Sequence, residues 1–157
     1  MIKIASFTVN HTQLNRGLYV SRRDGELTTF DLRMRRPYAD MPLSAVEMHS
    51  LEHLLATALR NGALQEHIVY AGPMGCATGF YVLYRGVSDG AAVLDLIRAF
   101  QAVLSARKMP GNSRAECGNC LTLDLAAGKR IAEEYLKLIV LKTIPDKYPS
   151  DDTKNKA

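Results

Sequence analysis

The chain has 157 residues, 47% hydrophobic and 23% charged, a size and balance that suit one globular domain with its own core and exclude a disordered or fibrous chain. Three cysteines, no secretory signal at the start and no apolar run of membrane-spanning length lead to the expectation of a soluble cytoplasmic protein with reduced thiols. The net charge of +4, without Trp or an aromatic-rich strand, reads as a solvated face rather than a nucleic-acid surface.

Residues 2–9 predict a strand, and residues 18–22 and 27–35 a hairpin turning at Asp24-Gly25. In its second arm Phe30, Leu32 and Met34 alternate with Asp31, Arg33 and Arg35, giving one apolar and one charged face. The pattern changes at Pro42. Ser44 and Glu47 form a capping box, and Val46, Leu51, Leu54, Leu55, Ala58 and Leu59 recur at helical spacing until Asn61-Gly62. A strand around residues 68–70, a Gly-rich turn at 72–76 and a strand at 80–84 follow. Ser88 caps an amphipathic helix through Val93, Leu96, Ile97, Phe100 and Leu104 that ends before Pro110-Gly111, and a last helix covers residues 125–142. The expected architecture is α+β, an antiparallel sheet with packed helices. Residues 1–144 form its single domain and residues 145–157 a polar, mobile tail.

The chemistry is concentrated in His49-Ser50-Leu51-Glu52-His53. Residues four apart share a helix face, so His49 and His53 can offer two imidazoles to one ion, with the Glu52 carboxylate at the border of that face. This is the reversed zincin order, H-x-x-E-H. The plainer alternative is two surface histidines and a salt-bridged Glu52. A metal needs a third ligand, and Cys76, Cys117, Cys120, His11 and His67 are the candidates. Cys117-x-x-Cys120 lacks the second pair that a structural zinc site requires, whereas one thiolate from this loop plus two imidazoles leaves a fourth position open. Glycines 72, 75 and 79 around Cys76 suit a reactive thiol presented in a tight turn; a small buried hydrophobe is the competing reading.

Taken together and in order, Ser6-Phe7 with His11, Phe30-Asp31-Leu32-Arg33, His49 to Leu54, Pro73-Met74-Gly75-Cys76 with Thr78 to Tyr81, and Glu116-Cys117-Gly118 resemble the S-ribosylhomocysteine lyase (LuxS) family of autoinducer-2 synthesis. The resemblance implies that S-ribosylhomocysteine is cleaved to homocysteine and 4,5-dihydroxypentane-2,3-dione by carbonyl migration and β-elimination. It implies His49, His53 and Cys117 as metal ligands, Glu52 and Cys76 as the acid/base pair, and Ser6, His11 and Arg33 as the substrate pocket. It further implies one divalent metal per subunit, Fe2+ with Zn2+ or Co2+ as substitutes, and a homodimer with the site at the subunit interface. The chain departs from the family at Tyr70-Ala71-Gly72, where an acidic residue is common, and Cys120 is read as an incidental thiol. The rival readings are a metallopeptidase with Glu133 or Glu134 as third ligand and a nonenzymatic zinc module with four protein ligands.

Overall fold

A computed structural model describes residues 9–149. The strand expected at 2–9 and Ser6 lie outside them, except for Val9, which is not in a strand. The chain runs β1 (Gly17–Asp24), β2 (Leu27–Arg33), α1 (Ala45–Arg60), β3 (Ile68–Pro73), β4 (Gly79–Arg85), α2 (Asp89–Ser105) and α3 (Leu125–Ile139). The four strands form one antiparallel sheet in the order β1-β2-β4-β3. The single-domain α+β architecture is therefore as the sequence predicts.

Period-two alternation sorts the sheet into two faces. Leu18, Phe30, Leu32, Phe80, Val82 and Tyr84 are buried in the core shared with the helices. Ala92, Val93, Leu96, Phe100 and Val103 of α2 and Ile131, Ala132 and Tyr135 of α3 close that core. The opposite face carries a row in which Tyr19, Asp31 and Tyr81 are register partners. That face is polar but covered: Asp31 is only 1% exposed and Arg33 3%.

Helix α1 is started by the anticipated capping box, with Glu47 N–H donating to Ser44 Oγ at 3.2 Å and Ser44 N–H to Glu47 Oε2 at 2.8 Å. Leu51, Leu54, Leu55 and Leu59 are its buried stripe, which leaves His49, Glu52 and His53 half-buried beside it. Helix α3 crosses α1 closely at Gly128, where an added Cβ would lie 2.6 Å from Leu54 Cδ1 and 3.1 Å from the Ser50 carbonyl carbon. The Asp124 N–H donates to Ser50 Oγ at 2.8 Å, so the loop leading into α3 is tied to α1 between the two histidines.

Two expectations change. Helix α3 stops at Ile139 rather than residue 142, with Pro145 close behind. The start of the expected tail is docked: Asp146 N–H donates to Leu18 O at 2.6 Å, and the Tyr148 ring stacks on Tyr19 with centroids 4.7 Å apart. Composition reads this stretch as polar, but it returns to β1, the edge strand among the described residues, and pairs there with the Leu18 backbone.

Candidate active site

Helical spacing places the His49 and His53 rings 4.7 Å apart and nearly perpendicular. Cys117, from the loop between α2 and α3, brings Sγ to 3.3 Å from His49 Nε2. One ligand atom from each of His49, His53 and Cys117 lies within 4.8 Å of the other two. Donors around a tetrahedral ion are separated by roughly 3.5 Å, so the group needs little adjustment to close on a metal.

The hydrogen bonds around the imidazoles support the same use. His53 Nδ1–H donates to the Pro110 carbonyl at 2.9 Å, which leaves Nε2 as the lone-pair nitrogen. The Thr122 hydroxyl donates to Asn119 O at 3.1 Å; its single proton is thus committed, and at 2.7 Å it accepts from His49 Nδ1–H. His49 Nε2 is then also free to bind an ion. Cys117 Sγ accepts the Asn119 N–H at 3.3 Å, which fixes the sulfur beside His49. Two imidazole nitrogens and one sulfur suit several divalent transition-metal ions.

Glu52 lies on the same helix, half-buried, and among the described residues it has no ion-pair partner. The salt-bridge alternative therefore has no support. Glu133 pairs with Lys137 at 2.8 Å and Glu134 with Arg35 at 2.9 Å, and neither joins the His49, His53 and Cys117 group.

A second constellation surrounds Cys76 in the β3–β4 turn. The left-handed residue of that turn is Ala77 (φ 58°) rather than a glycine. Its strained conformation is held by Leu43 N–H donating to Ala77 O at 2.8 Å. Gly79 serves another purpose: a Cβ there would collide with the Leu32 carbonyl of β2. Cys76 is exposed, and its Sγ lies 3.0 Å from Thr78 Oγ1 and 3.9 Å from Arg33 Nη1. Burial opposes the thiolate, but Thr78 hydrogen bonds and the Arg33 guanidinium outweigh it and lower the thiol pKa below its ordinary value.

Arg33 is aimed by Asp31 through Nε–Oδ1 at 3.1 Å and Nη2–Oδ2 at 2.7 Å, and its Nη1 donates to Thr78 Oγ1. Burial works against the guanidinium charge, yet Asp31 more than offsets it and raises the pKa of Arg33. His11 lines a cleft of about 440 Å³ with Cys76 and Thr78, and also a smaller one with Asp31, Arg33, Tyr81 and Tyr148. Neither cleft is lined by Glu52 or any of the three candidate metal ligands.

The family model described as S-ribosylhomocysteinase (LuxS) matches residues 4–144. The chain belongs to the LuxS family. It is 43% identical over 148 residues to a protein of Clostridium beijerinckii named S-ribosylhomocysteine lyase, covering 90% of this chain and 93% of the relative. Proteins of the same name are 44% identical in Porphyromonas gingivalis (152 residues; 89% and 92% covered) and 41% identical in Desulfotalea psychrophila (160 residues; 96% and 100% covered). Within this LuxS-family chain, sequence reasoning missed Thr122, the Pro110 carbonyl, Asp31, Thr78 and Tyr148. Only Asp31, two residues from Arg33 on one strand face, and Thr78, two residues from Cys76, carried a local signal.

Proposed function

We propose that the protein is a metal-dependent S-ribosylhomocysteine lyase that releases homocysteine and 4,5-dihydroxypentane-2,3-dione. The observation that carries this reading is the His49, His53 and Cys117 group, whose imidazole Nε2 atoms are left free by bonds at Nδ1. In this reading these three residues hold one divalent metal per subunit, Fe2+ with Zn2+ or Co2+ as substitutes. When bound, the metal supplies Lewis-acid stabilisation of oxygen charge as the ribose carbonyl migrates from C1 through C2 to C3.

The protein's own groups then move the protons. Cys76, already biased toward thiolate, takes a proton from a sugar carbon, and Glu52 exchanges protons with the oxygens and the neighbouring carbons. Removal of the C4 proton expels the homocysteine sulfur from C5. Ser6, His11 and Arg33 bind the substrate; His11 and Arg33 border clefts beside Cys76 and Asp31 respectively. The recognition of the homocysteine end is left to residues other than Tyr70-Ala71-Gly72, which offer no carboxylate.

The working unit in this proposal is a homodimer with the site at the subunit interface, in the cytoplasm. Its support is the separation of clefts within one subunit: Cys76 faces a cleft lined by neither Glu52 nor the metal group. A second copy bringing its Cys76 cleft to the first copy's metal group would complete both sites.

The test is anaerobic incubation of metal-replete protein with S-ribosylhomocysteine, following free thiol. Stoichiometric homocysteine release supports the lyase, and no release overturns it. Sedimentation of the same sample reads the dimer.

A further inference from the structure

We infer that Tyr148, seated by Asp146, is a positioning residue that holds Asp31 and through it aims Arg33 at Cys76. The inference rests on the proposed role of Cys76. It concerns a segment beyond residue 144, where the family match ends.

The seat is specific. Asp146 bonds Leu18 at both backbone groups, N–H to O at 2.6 Å and Oδ2 from N–H at 2.9 Å, and pairs with Tyr19 as a parallel bridge. Lys142 Nζ donates to its other oxygen. A Cβ on Gly17 would lie 2.6 Å from Asp146 Oδ2 and 2.9 Å from the Tyr19 ring, so the seat requires glycine there. Two residues on, the Tyr148 ring stacks on Tyr19 with an interplanar angle of 7°. Its hydroxyl donates to Asp31 Oδ2 at 2.7 Å.

That oxygen is the one that also accepts from Arg33 Nη2. Burial and then the Asp31 charge hold the Tyr148 phenol well above its ordinary pKa, so it remains a donor at working pH. By taking up part of the Asp31 charge, Tyr148 leaves more of the Arg33 charge for Thr78 and Cys76. Without it Asp31 neutralises Arg33 more completely, and the thiolate loses support. Among the described residues the other titratable groups around Cys76 are Tyr81 from β4 and His11, Tyr38 and Asp40 from the loops; Asp40 is paired with Arg36 at 2.9 Å.

The experiment measures iodoacetamide alkylation of Cys76 in the full-length, metal-replete protein by peptide mass spectrometry, as a function of pH. Tyr148→Phe keeps the stacked ring and removes only the donor. The Cys76 midpoint should move upward and its neutral-pH rate fall roughly three- to tenfold, the size of one hydrogen bond, while Cys120 reacts as before. Gly17→Ala, which crowds Asp146 without touching Asp31, should shift Cys76 in the same direction. An unchanged Cys76 midpoint in Tyr148→Phe overturns the proposal, as does a uniform rise in all cysteine rates, which would mean simple loosening. Alkylation needs no turnover, so failure of the lyase assay would be read separately.

Discussion

Thr122 Oγ1 lies 2.7 Å from His49 Nδ1 while giving its only proton to Asn119 O at 3.1 Å. The threonine thereby holds one tautomer of an imidazole from a different element. Thr122→Val keeps the shape and removes the acceptor. Loss of such an outer contact reduces metal affinity about 10- to 100-fold. Competition with a colourimetric chelator measures it; wild-type affinity in the variant would mean that His49 is oriented by other contacts.

Metal binding and proton transfer should separate by mutation. Glu52→Gln and Cys76→Ala are expected to retain one metal per chain and to lose homocysteine release by at least about 100-fold, the scale of a lost acid/base group. His49→Ala should lose the metal itself. Elemental analysis and the thiol-release assay of the purified variants decide: metal retained in His49→Ala would break the assigned ligand set, and full homocysteine release in Cys76→Ala would remove Cys76 from the acid/base pair.

A buried carboxylate away from the site predicts a pH dependence of stability. Asp95 of α2 accepts the Tyr84 hydroxyl at 2.9 Å, and burial raises its pKa above the usual 3.8 despite hydrogen bonds from Tyr84 and Leu64. A carboxyl with a raised folded pKa binds its proton more tightly in the folded state. Its contribution is therefore fully present below pH 3.8 and is lost as pH rises through the folded value. Asp95→Asn should flatten the slope of unfolding free energy in that mildly acidic window. Urea titrations at several pH values test this, and an unaltered slope would show that Asp95 titrates normally.

How far the chain could be read follows from where each signal resides. The capping box at Ser44 and Glu47, the alternation of β2 and the spacing of His49 and His53 are local, and the structure reproduces them. The Cys117 contact with His49 spans 68 residues, and motif resemblance, not periodicity, named it. Thr122 and Pro110 had no local signal because they act only after α3 is stitched to α1 through Asp124, Ser50 and Gly128. The charged residues of β2 suggested a polar face, but the Tyr148 hydroxyl that bonds Asp31 comes from the far end of the chain, 117 residues on. The glycines around Cys76 marked the turn, but its left-handed residue, Ala77, carries no such signal.

Gly111 offers a test of the metal group that alters no ligand. Its φ is 64°, and an added Cβ would lie 2.8 Å from His53 Nδ1 and 3.0 Å from Cε1, on the ring edge that donates to the Pro110 carbonyl. Gly111→Ala therefore meets two penalties: a left-handed alanine costs about 1–2 kcal/mol, and the methyl displaces the ring whose Nε2 must face the ion. The first lowers stability without metal; the second lowers metal affinity specifically. Thermal melts of metal-free and metal-replete protein separate them, because metal stabilisation grows with affinity. The gap between the two melts should shrink in Gly111→Ala, whereas Gly75→Ala, at a position with nothing within 4 Å, should leave it unchanged. An equal gap in Gly111→Ala and wild type would show that the position of the His53 ring does not govern metal binding.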